Sequence, residues 1–212
     1  MAGQDTSDGE LMTFARAIAA GNSTLALQML QAQPELARAR LMAKGATRQT
    51  AKAYFLDEIG HYIYAGDGAL HIAAAAYNEE IVRALIARGA DIRAKNRLGA
   101  EPLHLAADGG PGSRSWNPPA QAATIALLIE AGADPNATNK NGAAPLHRAV
   151  RTRCAAAVEA LLAGGANPRL KNKNGSVPME LAGRTTGRGG SGSPEAKAQQ
   201  EEIVRLLRKA AG

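Results

Sequence analysis

Histidine is the side chain of this sequence best suited to chemistry near neutral pH, as a metal ligand or a proton carrier. Three of the four histidines, His71, His104 and His147, recur at steps of 33 and 43 residues. A shared metal site needs ligands that converge on one point. Regular recurrence instead holds these three one structural unit apart, which favours a structural role played three times. Asp57, Glu58, His61 and Asp67 are the densest group of potential ligands. They fall around a turn between strand-forming residues whose side chains alternate in direction, so a solvated turn is expected and no metal. Cys154 lies seven residues after His147. A thiolate–imidazole pair needs hydrogen-bond reach, and the helix expected at His147 ends before Cys154. Among the glycines none stands in a phosphate-binding motif, and the run Gly187–Gly192 reads as linker. No enzyme, metal or cofactor is expected. A metal-dependent activity around residues 57–67 remains a minor alternative.

Charge is the remaining chemistry. Lys and Arg number 25 against 19 Asp and Glu, a net charge of 25 − 19 = +6. Between Lys140 and Lys173 the cations are Lys140, Arg148, Arg151, Arg153, Arg169, Lys171 and Lys173, with Glu159 the only acid. Such a stretch is either a scattered soluble surface or a basic groove for an acidic protein segment. Nucleic acid is the alternative partner, but no aromatics are interleaved with the cations. One cysteine excludes an intrachain disulfide and points to a reducing, cytoplasmic setting. The polar start MAGQDTSDGE is no secretory leader, and no apolar run has the length of a membrane span. A monomer is expected.

The elements that must position these residues repeat. Ala69-Leu70-His71, Pro102-Leu103-His104, Pro145-Leu146-His147 and Pro178-Met179-Glu180 keep one register. Gly89-Ala90-Asp91, Gly132-Ala133-Asp134 and Gly165-Ala166-Asn167 follow downstream. The step of 43 is 33 plus ten inserted residues. Shifting by 56, or 33 + 23, lays Phe14 on Leu70, Ala15 on His71, Ile18 on Ala74, Leu25 on Ile81 and Leu30 on Ile86. Ser7 and Glu10 form a capping-box pattern ahead of that first unit. Aromatics are only 3% of the chain, so the core must come from Ala, Leu, Ile and Val.

A period of 33 with PLH early and GAD or GAN late resembles the ankyrin repeat. The resemblance implies an all-α solenoid of stacked helix pairs with projecting β-hairpin loops, binding proteins through its concave face. It makes His71, His104 and His147 structural, bridging neighbouring hairpin backbones. The family's capping threonine is replaced by Gly68, Glu101, Ala144 and Val177, so each histidine lacks its usual hydroxyl neighbour. The expected layout is a flexible tail (1–9), a capping repeat (10–40), an insertion (41–65) and repeats at 66–98, 99–141 and 142–174. A capping repeat (175–212) closes it. Loop 110–119 interrupts the third unit and a flexible segment, 183–194, the last.

The insertions are where the units differ. Residues 41–65 predict an extended β-hairpin, with strands 53–56 and 61–64 around a four-residue loop. Tyr54, Phe55, Tyr62 and Tyr64 concentrate there. They either pack back on the first two repeats or serve as recognition anchors. Trp116 either covers its own repeat or stays exposed for contact. Loops 110–119 and 183–194 should leave the edge away from the hairpin tips, roughly 20 Å apart, with the 41–65 hairpin on the opposite edge. Tyr54, Phe55, Tyr62, Tyr64 and Trp116 are thus candidate apolar anchors. Lys140, Arg148, Arg151, Lys171 and Lys173 are candidate cations.

Overall fold

The computed structural model describes residues 7–43, 45–184 and 192–211. Among the described residues, ten α-helices run in five antiparallel pairs: α1 Asp8–Ala19 with α2 Ser23–Ala32, α3 Ala69–Ala75 with α4 Glu79–Ala87, and α5 Pro102–Ala106 with α6 Pro118–Glu130. Then come α7 Pro145–Thr152 with α8 Ala155–Ala163, and α9 Pro178–Ala182 with α10 Pro194–Ala211. The first helices stack in order α1, α3, α5, α7, α9 as an inner layer, and the second helices as an outer layer. Helices as short as α5 and α9, of five residues each, cannot persist alone in water. Burial between neighbours holds them. Ala15, Ala73, Ala74, Ala106, Ala107 and Ala149 are buried along the inner layer, and their small side chains let the helices approach closely. Ile81, Leu85, Ile125, Leu128 and Leu161 fill the outer seam.

Local signals set the ends. Ser7 Oγ accepts from Glu10 N at 3.2 Å while Glu10 Oε2 accepts from Ser7 N at 2.9 Å, a reciprocal capping box. The first helix therefore starts at Asp8, inside the segment expected to be a tail, of which residues 1–6 lie outside the described residues. The Asp8 carboxylate then accepts from Met42 N at 2.8 Å and Ala43 N at 2.7 Å, tying the root of the insertion to α1. Pro118 and Pro119 open α6 rather than closing the preceding loop, because proline suits a first helical turn. Ser193 caps α10, accepting from Ala196 N at 3.1 Å. Most of the segment expected to be flexible, residues 185–191, lies outside the described residues. Leu25 does not share the buried face expected of it. It is 42% exposed, while Ala26 and Leu30 are buried. Among the described residues α2 has a stacking partner, α4, on one side only.

The hairpin is shorter than its sequence suggests. Residues Ala51–Tyr54 form a 3-10 turn, and the strands are β1 Phe55–Leu56 and β2 His61–Tyr62. Phe55 pairs with Tyr62 and Leu56 with His61 around the expected four-residue loop. Ile63 N continues the ladder to Tyr54 O at 2.8 Å, and Ala46 N bonds Ile63 O at 2.7 Å on the other edge.

Candidate partner-binding groove

Each motif histidine lies three positions into its inner helix, and its two ring nitrogens face different repeats. His71 Nδ1 accepts from Gly68 N at 3.2 Å, His104 Nδ1 from Glu101 N at 3.2 Å and His147 Nδ1 from Ala144 N at 3.2 Å. An accepting Nδ1 leaves the proton on Nε2. Nε2 then donates to the next repeat: to Ala100 O at 3.3 Å, Ala143 O at 3.1 Å and Ser176 O at 3.3 Å. Without the capping threonine, the backbone N–H of each cap still has an imidazole acceptor, and the N–H of each histidine bonds the carbonyl of its cap residue. At the last repeat Glu180 Oε2 accepts from Val177 N at 3.3 Å. A carboxylate can accept this bond but, unlike the imidazoles, has no proton to donate onward. Burial holds the imidazoles neutral. It pushes His71, His104 and His147 below the ordinary histidine value, His104 to about 3 with a contribution from Arg148.

The projecting fingers between repeats are fixed by asparagines that the sequence patterns did not single out. Asn96 Oδ1 accepts from Leu98 N and Ala100 N, Asn139 Oδ1 from Asn141 N and Ala143 N, and Asn172 Oδ1 from Asn174 N and Ser176 N, all at 2.9–3.1 Å. They recur at steps of 43 and 33 residues, the repeat period with and without the ten-residue insertion, a signal available in the sequence. A cation follows each one: Arg97, Lys140 and Lys173. Their backbone N–H groups bond the preceding finger, at Ala65 O (2.7 Å), Leu98 O (3.0 Å) and Asn141 O (3.1 Å). The fingers are packed so closely that a Cβ on Gly142, whose φ is +70°, would lie 2.7 Å from Lys173 N.

The 41–65 hairpin does not keep to the finger edge. An antiparallel bridge between Arg40 and Gly68 roots it at the start of α3, yet its tip residue Ile59 packs against Ala75, Ala100 and Leu105. Ala75 ends α3 and Leu105 nearly ends α5, so the hairpin runs down the inner layer. Five residues of extended chain reach about 17 Å, more than the roughly 10 Å length of a seven-residue helix. This corrects the expectation of opposite edges. The tip meets the loop after α5, and the two help to line a cavity of about 720 Å³ with Phe55, Ile59, His61, Tyr77, Asp108 and Arg114 among its residues. Tyr77, in a left-handed conformation at φ 54°, donates its hydroxyl to Asp108 O at 2.6 Å. Sequence reasoning missed this partnership because the two residues lie in different units.

The aromatic candidates divide. Tyr54 and Trp116 pack on the core. Phe55 and Tyr62 pair across the strands at 4.6 Å between ring centroids, and Tyr62 is 40% exposed. The Arg97 guanidinium lies 4.9 Å over the Tyr64 ring and donates to Ala46 O, so this cation is held by the hairpin. Asp57 and Glu58 point to solvent at the tip. Asp67 is buried, accepting from Tyr64 N at 2.7 Å and Asn96 Nδ2 at 2.9 Å. The group around the turn therefore does not gather. His61 Nε2 is buried with no hydrogen-bond partner among the described residues, and burial lowers its pKa. Cys154 is buried at the start of α8 and burial raises its pKa.

Beyond the hairpin the inner layer is open. Arg148, Arg151, Lys173, Asn141, Asn174 and Leu181 are among the residues around a second cavity of about 510 Å³, between the fingers and helices α7 and α9. Arg148 is not free there. Its side chain is 14% exposed and its Nη1 lies 2.9 Å from Asp108 Oδ2. Lys140, Lys171 and Lys173 are exposed finger residues and make no ion pair among the described residues. Arg151 is exposed on α7. The ten candidates thus separate: Tyr54, Phe55, Tyr62 and Tyr64 belong to the hairpin, Trp116 packs on the core, Arg148, Arg151 and Lys173 line the second cavity, and Lys140 and Lys171 are exposed on the fingers.

Three family models match the chain: ankyrin repeats (3 copies) over residues 14–114, ankyrin repeat over 98–140, and ankyrin repeats (many copies) over 128–182. Curated relatives include the transient receptor potential cation channel subfamily V member 5 of Mus musculus, 44% identical over 68 residues. Member 6 of the same subfamily from Rattus norvegicus is 43% identical over 70 residues. Each match covers 31% of this chain and 9% of the relative, so the chain matches less than a tenth of the length of these relatives.

Proposed function

The chain belongs to the ankyrin-repeat family, whose repeats are generally protein–protein interaction modules, and from that premise we propose that it is a non-enzymatic scaffold binding an acidic partner protein. The channel activity named for the relatives is not carried over, because the match covers only 9% of those chains. The observation that carries the proposal is the cavity of about 510 Å³ that Arg151, Lys173 and Leu181 help to line. Cations around a concave, partly apolar floor suit an acidic protein segment. Long-range attraction steers it in and short-range packing retains it. The aromatic hairpin gives the groove a closed end. A monomer acting in the cytoplasm is the setting we propose, in line with the single buried thiol.

Affinity capture with the wild-type chain beside an Arg151→Ala/Lys173→Ala variant tests this, followed by titration of the recovered protein at rising salt. The expected outcome is a protein with an acidic segment, bound more weakly by the variant and losing affinity as salt screens the charges. A recovered partner indifferent to both the substitutions and the salt would remove the groove from the mechanism.

A further inference from the structure

Arg97, Lys140 and Lys173 occupy one equivalent position in three successive fingers. Each follows the asparagine that fixes its finger, and the backbone of each is bonded to the finger before it. Repeat stacking therefore sets their spacing, at about 8–10 Å per repeat. Arg97 is taken up by Tyr64 and Ala46 O on the hairpin. Lys140 and Lys173 are both exposed; Lys173 lines the cavity of about 510 Å³, and Lys140 stands between Asn139 and Asn141, which line it too.

We propose that the open half of the groove takes an acidic segment of the partner in the polyproline II conformation, with carboxylates three residues apart seated on Lys140 and Lys173. This rests on the protein-binding function proposed above and specifies the conformation and register of what is bound. Periodicity decides between backbones. A β-strand returns to the same face every two residues, about 6.6–6.8 Å, or every four, about 13 Å, and neither matches one repeat. A polyproline II chain has three residues per turn and rises about 3.1 Å per residue. It returns every ~9.3 Å, inside the repeat spacing. An α-helix returns after seven residues at about 10.5 Å, but it is about 10–12 Å across. Spanning two fingers, it would need roughly twice the cavity's 510 Å³. A thinner extended chain fits between the fingers and α7. Asn141 and Asn174, at equivalent positions beside the two lysines, line the cavity and offer amides to a backbone that has no internal hydrogen bonds.

Fluorescently labelled peptides and the full chain test the register. One peptide repeats Glu-Pro-Thr, placing a glutamate at every third position. A second has the same composition with its glutamates in adjacent pairs, and a third places them seven apart in a helix-forming host. Oligothymidine of matched charge is the nucleic-acid probe. At low salt the Glu-Pro-Thr peptide should bind about three- to fivefold more tightly than the paired one, the scale of one exposed ion pair. Lys140→Ala and Lys173→Ala should each remove that preference. Lys52→Ala, an equal loss of charge on the hairpin's 3-10 turn, should leave it intact, with circular dichroism confirming the fold. Equal binding of the spaced and paired peptides, both weakened by the lysine substitutions, would overturn the register while the acidic groove stands. A tighter helical peptide, or tighter oligothymidine, would overturn the polyproline II segment. No saturable binding of any peptide would overturn the acidic groove as well.

Discussion

Arg97 and Lys173 hold the same place in their fingers and live in different surroundings. Arg97 lies over an aromatic ring, donates to a backbone carbonyl and has the hairpin beside it. Lys173 stands exposed at the mouth of a cavity. The covered half of the groove meets its own needs: aromatics pair with each other, Ile59 seals the tip and Arg97 has its partners. The open half retains cations that point to solvent. One repeat architecture thus gives a surface occupied by the chain's own hairpin and a receptive one, and the difference comes from the inserted hairpin rather than from the repeats.

The largest expected effect tests what joins the two halves. His104 bonds its own helix start at Glu101 N and the next finger at Ala143 O, between the covered and open parts. His104→Ala leaves both backbone groups buried without that partner and opens a cavity. A loss of about 3 kcal/mol is expected, read from urea unfolding. A loss below about 1 kcal/mol would mean that stacking of the alanine-rich helices alone joins the halves.

The same imidazoles predict a pH effect with a definite sign. Their folded pKa values lie below the unfolded value of about 6.5, His104 at about 3. The stability they contribute is therefore complete above about pH 6.5 and is lost as pH falls below it, because the unfolded chain takes up protons that the folded chain refuses. Each histidine adds a slope of about 1.4 kcal/mol per pH unit while its folded form stays neutral. His61, also lowered by burial, contributes in the same direction. Unfolding free energies between pH 7 and 4 should show this fall, reduced by one proton's worth in His104→Gln. A flat profile would place the imidazoles in solvent.

What was legible follows from how local each signal is. The recurring histidines and the Ser7–Glu10 pair act within a few residues or at the repeat's own period, so the stack and the capping box of the first helix could be read directly. The hairpin's turn was legible for the same reason, as Asp57 to Gly60 sit between strand formers. Its direction was not. Ile59 reaching Leu105, Tyr77 reaching Asp108 and Arg97 reaching Tyr64 are contacts between units, and no period links those residues. Leu25 shows the converse. Its pattern matches Ile81, but burial depends on a neighbouring helix, which α2 has on one side only among the described residues. For the candidate site, the basic cluster was visible as composition. That Arg148 is paired with Asp108 was not.

A smaller effect tests the seal. Ile59→Asp puts a charge against Ala75, Ala100 and Leu105 and should cost about 1–2 kcal/mol, as the tip lifts from the helices. Hydrogen exchange should accelerate at residues 55–62 and stay unchanged in α7 and α9. Binding of acidic peptides at the open half should persist. Exchange spreading into α7 would show that the two halves are one cooperative unit.

The smallest expected effect lies at the border. Asp108 lines the covered cavity and Arg148 the open one, and their ion pair at 2.9 Å bridges the two. Asp108→Asn keeps the shape of the side chain and the carbonyl that accepts from Tyr77, but removes the charge facing Arg148. Stability should fall by about 1 kcal/mol or less, the range for a partly exposed pair. Affinity for an acidic peptide should rise about two- to threefold, because Arg148 no longer has an internal carboxylate competing with the ligand. Arg148→Met in the same background should abolish that gain. If Asp108→Asn weakens acidic binding instead, the pair orders the groove floor rather than competing with the partner, and the open half depends on the covered half for its shape.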